Sequence, residues 1–184
     1  MNSSELTTAL LCWLRFGRQM PYSATEVEIA HYRADVLGAT EKEIIEIEVK
    51  VSINDFRGDF KNKAGKHQNY KDRMFGTVPN RIYFAVPEIL KDSALEILID
   101  KAPDYGLISM RQNSGSYDDS IPWKRLSIVK RAKHLHRDCP SDTFLKSIVN
   151  RMSSEIAHFH LGHIMLMDMM SRFKEVSHAM SEGK

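Results

Sequence analysis

The chain has 184 residues, and its 26 Lys and Arg against 24 Asp and Glu leave a formal net charge of +2. That balance excludes bulk attraction as the basis of any nucleic-acid binding, which must then come from local basic patches. Cys12 and Cys139 exclude a disulfide framework and form no zinc-ligand spacing, and no Pro/Gly/Ser-rich linker or internal repeat divides a length that can bury one full core.

In chain order, the first expected element is a helix from about Glu5 to Arg18, with Leu6, Leu10, Leu11, Leu14 and Phe16 supplying much of its apolar surface. Ser3-Ser4-Glu5 reads as its start, where an acidic side chain complements the helix dipole. The apolar stretch Ala9 to Leu14 is too short to span a bilayer and has no basic leader, so the expectation is a cytoplasmic protein with no membrane association.

A strand follows from about Val27 to Leu37, then a short polar turn from Gly38 to Glu43. The next strand, Ile44 to Ile53, alternates strictly: Ile45, Ile47, Val49, Val51 and Ile53 are apolar, and Glu46, Glu48, Lys50 and Ser52 polar. Symmetric closure of the turn pairs Asp35 with Glu46 and sets it diagonal to Glu48. Diagonal neighbours lie roughly 7 Å apart, within reach of a bridging metal ion. Carboxylates crowded onto one strand pair need a positive charge between them, and Mg²⁺ or Mn²⁺ suits such oxygen ligands. The ion would lower the pKa of a bound water and stabilise charge on phosphate oxygens, while Lys50 orients the water or neutralises the growing charge. An ordinary solvated strand face carries the same Glu-x-Lys spacing.

Beyond it a helix is expected from about Asn54 to Asp72, carrying Arg57, Lys61, Lys63, Lys66, His67 and Lys71. A basic run beside a metal site points to phosphate-backbone contacts, with Tyr70 either stacking on a base or packing. Arg81 to Val86 reads as a buried central strand, Ser93 to Lys101 as a crossover helix and Gly106 to Met110 as the next strand. Together these give a mixed α/β sheet with flanking helices. Arg111 to Pro122 is an expected loop. Trp123 to Lys133 starts like a strand, and Lys124, Arg125, Lys130, Arg131 and Lys133 form a second candidate phosphate surface.

Ser141 or Asp142 can cap a long last helix with Phe144, Ile148, Met152, Ile156, Phe159 and Leu166 at helical spacing. Its histidines, His158, His160 and His163, complete no ligand set with Glu155. The Met-rich end, Met165 to Met170, suggests packing or a homodimer through this helix. The whole chain reads as one domain, with a core over about 5–135 and a helical extension over about 141–178.

Several segments occur in the order of one known family: Glu26-Val27-Glu28-Ile29, Arg33-Ala34-Asp35-Val36, Glu48-Val49-Lys50-Val51-Ser52, Asp55-Phe56-Arg57-Gly58-Asp59, Arg81 to Pro87 and Gly106-Leu107-Ile108. From about Glu26 to Met110 the chain resembles the PD-(D/E)XK nuclease superfamily, most closely its MmcB-like DNA repair branch. The resemblance implies a restriction-endonuclease-like core, with Asp35 and Glu48 as ligands of Mg²⁺ or Mn²⁺ and Lys50 as the catalytic lysine. Ala34 stands where the superfamily often has Pro, and either Lys61 or Lys66 matches its helix lysine. A further acid is usual in the superfamily; Glu26 matches by motif, with Glu5 and Glu28 as alternatives. The expected function is metal-dependent hydrolysis of DNA phosphodiester bonds in repair, recombination or foreign-DNA processing, with Arg57, Lys61, Lys63, Lys66 and Tyr70 as the nucleic-acid contacts. The alternative is a catalytically silent nuclease fold that binds nucleic acid or protein.

Overall fold

The computed structural model describes residues 1–74, 76–115 and 117–182, without the side chains of 117, 118, 168 and 171–182. Its elements run α1 (Ser3–Cys12), β1 (Tyr22–Ile29), β2 (Tyr32–Ala39), β3 (Ile44–Val49), α2 (Ile53–Asn62), α3 (Ala64–Asp72), β4 (Arg81–Pro87), α4 (Lys91–Lys101), β5 (Gly106–Met110), β6 (Leu126–Lys130) and α5 (Asp142–Glu182). The six strands form one mixed sheet in sequential order; β3, β4 and β5 are parallel, and the other neighbours antiparallel.

Alternation along the central strands builds three layers. Ile44, Ile82, Phe84, Val86 and Leu107 meet Phe56, Tyr70, Ala94 and Leu98 of the connecting helices on one face. Ile45, Ile47, Val49, Tyr83 and Ala85 meet Leu6, Ala9 and Leu10 of α1, and Leu14 just beyond it, on the other. Burial on both faces is what parallel strands with helical crossovers require. Gly106 is needed at the start of β5, because a Cβ there would lie 2.3 Å from the Tyr83 ring and 2.8 Å from the Ala132 amide.

Several expected boundaries shift for local reasons. The single strand Val27 to Leu37 is two strands, folded at Ala30 (φ 49°) and His31 (φ 67°) with Ile29 paired to Tyr32. A two-residue hairpin turn asks for positive φ, and Ala-His in place of Asn-Gly hid it. β3 ends at Val49 rather than Ile53, since the Ser52 hydroxyl accepts the Asp55 amide at 3.1 Å and caps α2. The helix expected over Asn54 to Asp72 breaks at Lys63 (φ −112°, ψ 27°). α1 ends at Cys12 and continues as a π-helical turn over Trp13–Gly17. The loop after β5 contains a 3₁₀ turn over Tyr117–Ser120, residue 116 lying outside the described residues, and a second over Pro122–Arg125 leads into β6.

α5 begins inside the core. Ser141 Oγ accepts the Phe144 amide at 3.2 Å, and Leu145 and Ile148 are buried against the β1 side of the sheet. At the edge strand, Glu155 Oε1 accepts the Thr25 amide at 2.8 Å and its hydroxyl at 2.5 Å, and Arg151 Nε donates to the Thr25 carbonyl at 2.9 Å. Side chains thus satisfy backbone groups that an open sheet edge would leave for another strand. Among the described residues, no helix is long and apolar enough to cross a membrane.

Candidate metal and phosphate site

The β2–β3 hairpin sets the spacing of the carboxylates. β2 runs through Gly38 and Ala39, two residues past the expected end, and Thr40 closes the turn by accepting the Lys42 and Glu43 amides, both at 3.1 Å. The register is therefore Leu37 with Glu46 and Val36 with Ile47, where the ladder ends, and the next residues in that register are Asp35 and Glu48. The expected pairing of Asp35 with Glu46 is corrected by this shift. It brings Asp35 closer to Glu48 than a diagonal would.

Asp35 also sits where the β1–β2 ribbon turns over. Glu26 has φ 53°, and the pairs Thr25–Val36 and Val27–Ala34 flank an unpaired Glu26 and Asp35. Ala24 and Val27, three apart, consequently face the same core layer, as do Ala34 and Leu37. Asp35 Oδ2 accepts the Val49 amide at 2.8 Å, which ties the carboxylate to the end of β3.

Glu46 and Glu48 point beneath α2 and α3, and both are 0% exposed. Three ammonium groups meet them. Lys66 Nζ lies 2.5 Å from Glu46 Oε1 and 2.5 Å from Glu48 Oε1. Lys50 Nζ lies 3.1 Å from Glu48 Oε2 and 2.7 Å from Asp59 Oδ1. Lys63 Nζ spans the same two oxygens, at 2.8 Å and 3.2 Å. Tyr70 donates its hydroxyl to Glu46 Oε2 at 2.8 Å, and His67 links Asp59 Oδ2 (3.1 Å) to the Tyr105 hydroxyl (3.2 Å). The Lys50 amide donates to the Ala85 carbonyl at 2.9 Å, so β4 fixes that lysine's backbone.

Burial and charge divide the carboxylates into two kinds. Burial pushes the Asp35 carboxyl above its ordinary range, and the neighbouring Glu48 adds to the rise. Burial likewise raises Glu46, more than Lys66 can offset. Glu48 resists its own burial: Lys66 and Lys50 hold it down, to about 2. Asp59 is also held low against burial, by hydrogen bonds from His67 and Lys50. Lys50 and Lys66 are raised in spite of burial, the first chiefly by Asp59 and Glu48, the second by Glu46 and Glu48. Four carboxylates and three ammonium groups leave one formal negative charge, with Asp35 the acid least compensated.

The pair Asp35 and Glu48 fits a hard divalent cation. It offers carboxylate oxygens on facing strands, and burial, with the neighbouring Glu48, raises the proton affinity of Asp35. Mg²⁺ characteristically takes one or two carboxylates and keeps its waters, so a two-acid site is sufficient. Among the described residues, no three His, Cys, Asp or Glu side chains converge into a metal-binding group.

Of the other expected site residues, Glu26 points to solvent and pairs with Arg33 at 2.8 Å. Its αL backbone turns it away from Asp35. Neither alternative replaces it: Glu28 is exposed, and Glu5 accepts from Arg125 Nη2 at 2.8 Å, on the helix that covers the opposite face of the sheet. Lys66 and Tyr70 are 1% and 0% exposed, so in this fold they hold Glu46 and Glu48 instead of contacting nucleic acid. Lys63 faces the cluster but is 37% exposed, and Arg57 and Lys61 lie exposed on α2. Much of the second basic surface is engaged within the chain: Arg125 by Glu5, Lys130 by the carbonyls of Pro103 and Tyr105, and Lys133 by Asp104.

The sequence reading placed Glu46 beside Asp35 and Glu48 but missed Asp59, His67 and Tyr105 as members of this cluster. Phe56 and Asp59 stand at i and i+3 on the buried side of α2, so helical spacing carried a usable signal for Asp59. The chain matches no family model, no curated protein and no solved structure.

Proposed function

We propose that this chain is a Mg²⁺- or Mn²⁺-dependent deoxyribonuclease of the PD-(D/E)XK type, acting in DNA repair, recombination or foreign-DNA processing in the cytoplasm. The observation that carries the reading is Asp35 set opposite Glu48 by strand register, with Lys50 just past the end of β3 and its ammonium 3.1 Å from Glu48. The order of strands and helices supports it. Asp35 and Glu48 would hold the metal, which supplies a water of lowered pKa and a Lewis acid for the phosphate. Lys50, steadied by Asp59, would direct the water and counter charge developing on the phosphate. Arg57 and Lys61 would meet the phosphate backbone from the exposed side of α2.

A second reading has its own support. Both Glu48 oxygens are already engaged by three ammonium groups, which is how a charge-satisfied structural core is built. In that case the fold is a silent module that binds nucleic acid or protein. Calorimetry with Mn²⁺, paired with cleavage of single-stranded, duplex, flapped and four-way DNA, separates the two. The nuclease reading expects Mn²⁺ binding and cleavage in the parent, both lost in Asp35→Asn. It also expects Lys50→Ala to cut turnover by roughly a hundredfold or more with DNA affinity in Ca²⁺ little changed. Absence of Mn²⁺ binding and of cleavage in the folded parent overturns it.

A further inference from the structure

The far half of α5 carries an apolar surface that the rest of the chain leaves bare. Between Ile156 and Met170, nine large apolar side chains are 49–73% exposed, and Phe159 is the most exposed. A helix this apolar around its circumference belongs in contact with something else.

The composition of the helix narrows what that is. No Lys or Arg occurs between Met152 and Ser171, so the cationic polar face of a membrane-surface helix is missing. Nor is any helix among the described residues long and apolar enough to cross a membrane. What the helix does have is a seam. Leu145, Ile148 and Met152 dock it on the β1 side, and continuing the same seven-residue spacing past the body reaches Phe159, Gly162, Leu166 and Met169. A repeat of 3.5 residues suits a partner helix. A Cβ built on Gly162 meets nothing within 4 Å, so a second backbone can approach closely there. Beside the seam, Leu11 of α1 and Phe16 of the π-helical turn after it line a groove of about 590 Å³ with Met152, Ile156 and Phe159 of α5.

The exposed area is also of the right order. Nine side chains at these exposures present on the order of 1,000 Å² per chain. Burying half of that on each of two chains approaches the roughly 1,200 Å² at which stable interfaces begin, and the groove adds more.

We propose that the distal half of α5 is a self-assembly element: it pairs with α5 of a second copy of this chain, and side chains from that copy fill the groove between α1 and α5. The two seams close on each other, and the apolar flank lies against the groove.

Sedimentation equilibrium of the full chain tests this, together with Ile164→Glu/Leu166→Glu. Those side chains are 64% and 49% exposed, so acidic replacements leave the core intact. The parent is expected to associate with a dissociation constant of about 10 µM or tighter. The double variant should remain monomeric with an unchanged far-UV spectrum. A parent that stays monomeric across that range, or a variant that associates like the parent, overturns the proposal, as does a monomeric parent that binds anionic vesicles. Should the variant fail to fold, the parent's melting temperature decides. It rises with protein concentration in a self-associating chain and is flat in a monomer.

Discussion

Lys66→Met removes one buried ammonium while retaining most of the side chain's apolar stem. Glu48 would keep Lys50 and Lys63, so the uncompensated acid is Glu46, left with the Tyr70 hydroxyl alone. Breaking a buried ion pair from one side costs about 3–5 kcal/mol. Glu46 escapes part of that cost by taking a proton, which its burial already favours. A net loss of about 3 kcal/mol at neutral pH is expected, or a fall in melting temperature of roughly 6–12 °C for a chain of this length. The pH dependence follows from the same group. A carboxyl whose folded pKa lies above its unfolded value contributes stability below the unfolded value and loses it as pH rises through the folded one. The deficit of Lys66→Met should therefore be small near pH 4 to 5 and grow toward pH 8. Urea unfolding followed by circular dichroism across that range measures it. Adding Glu46→Gln should restore most of the loss, a coupling of about 2 kcal/mol or more in the double-mutant cycle. A Lys66→Met variant within about 1 kcal/mol of the parent at pH 7.5, or strict additivity with Glu46→Gln, refutes the buried-cluster account.

Two further predictions concern the edge ribbon. Ala30→Asn with His31→Gly places the residues that tolerate positive φ where the backbone demands it, and should stabilise the protein by about 1 kcal/mol in the same unfolding assay; no gain would mean that this turn is not strained. Glu155→Ala removes the acceptor for the Thr25 amide and hydroxyl and should cost about 1–2 kcal/mol. Hydrogen exchange at the Thr25 amide should then accelerate at least tenfold, and unchanged protection would show that α5 does not secure the edge of β1.

How much of this was legible in the sequence depended on which physical rule governed each element. The period-two alternation of Ile44 to Val49 located the central strand and the inward face of Glu46 and Glu48, because a strand with an apolar side has no other solution. Asp35 and Lys50 followed from it. The β1–β2 turn did not, since Ala30-His31 lacks turn residues and the chain read through it as one strand. The register error had a similar source: Gly38 and Ala39 look like turn residues, yet both are buried strand positions, Gly38 against Leu14 and Met20 and Ala39 in the other core layer. Among the basic residues of α2 and α3, Lys66 departs from the reading for a different reason. Charge alone cannot distinguish a phosphate contact from a counter-ion, and Lys66 proved to be the latter because α3 turns it under the helix layer.

The arrangement around Glu48 joins these strands of argument. For Glu48 to accept a cation from solvent, one of its three ammonium partners must give up an oxygen. Lys66, with a side chain 1% exposed, and Lys50, at 7%, have little room to withdraw, and each is held by a second buried acid. Lys63 differs. It sits at the break between α2 and α3, its side chain is 37% exposed, and its 3.2 Å contact with Asp59 is longer than the 2.7 Å contact of Lys50. Desolvation binds the first two lysines to the cluster, whereas Lys63, although 2.8 Å from Glu48, can meet water as it leaves. The helix break is thus more than an interrupted ladder of hydrogen bonds. It places the most displaceable of Glu48's counter-ions on the solvent side of the site, where a hard cation and a phosphate would both have to arrive.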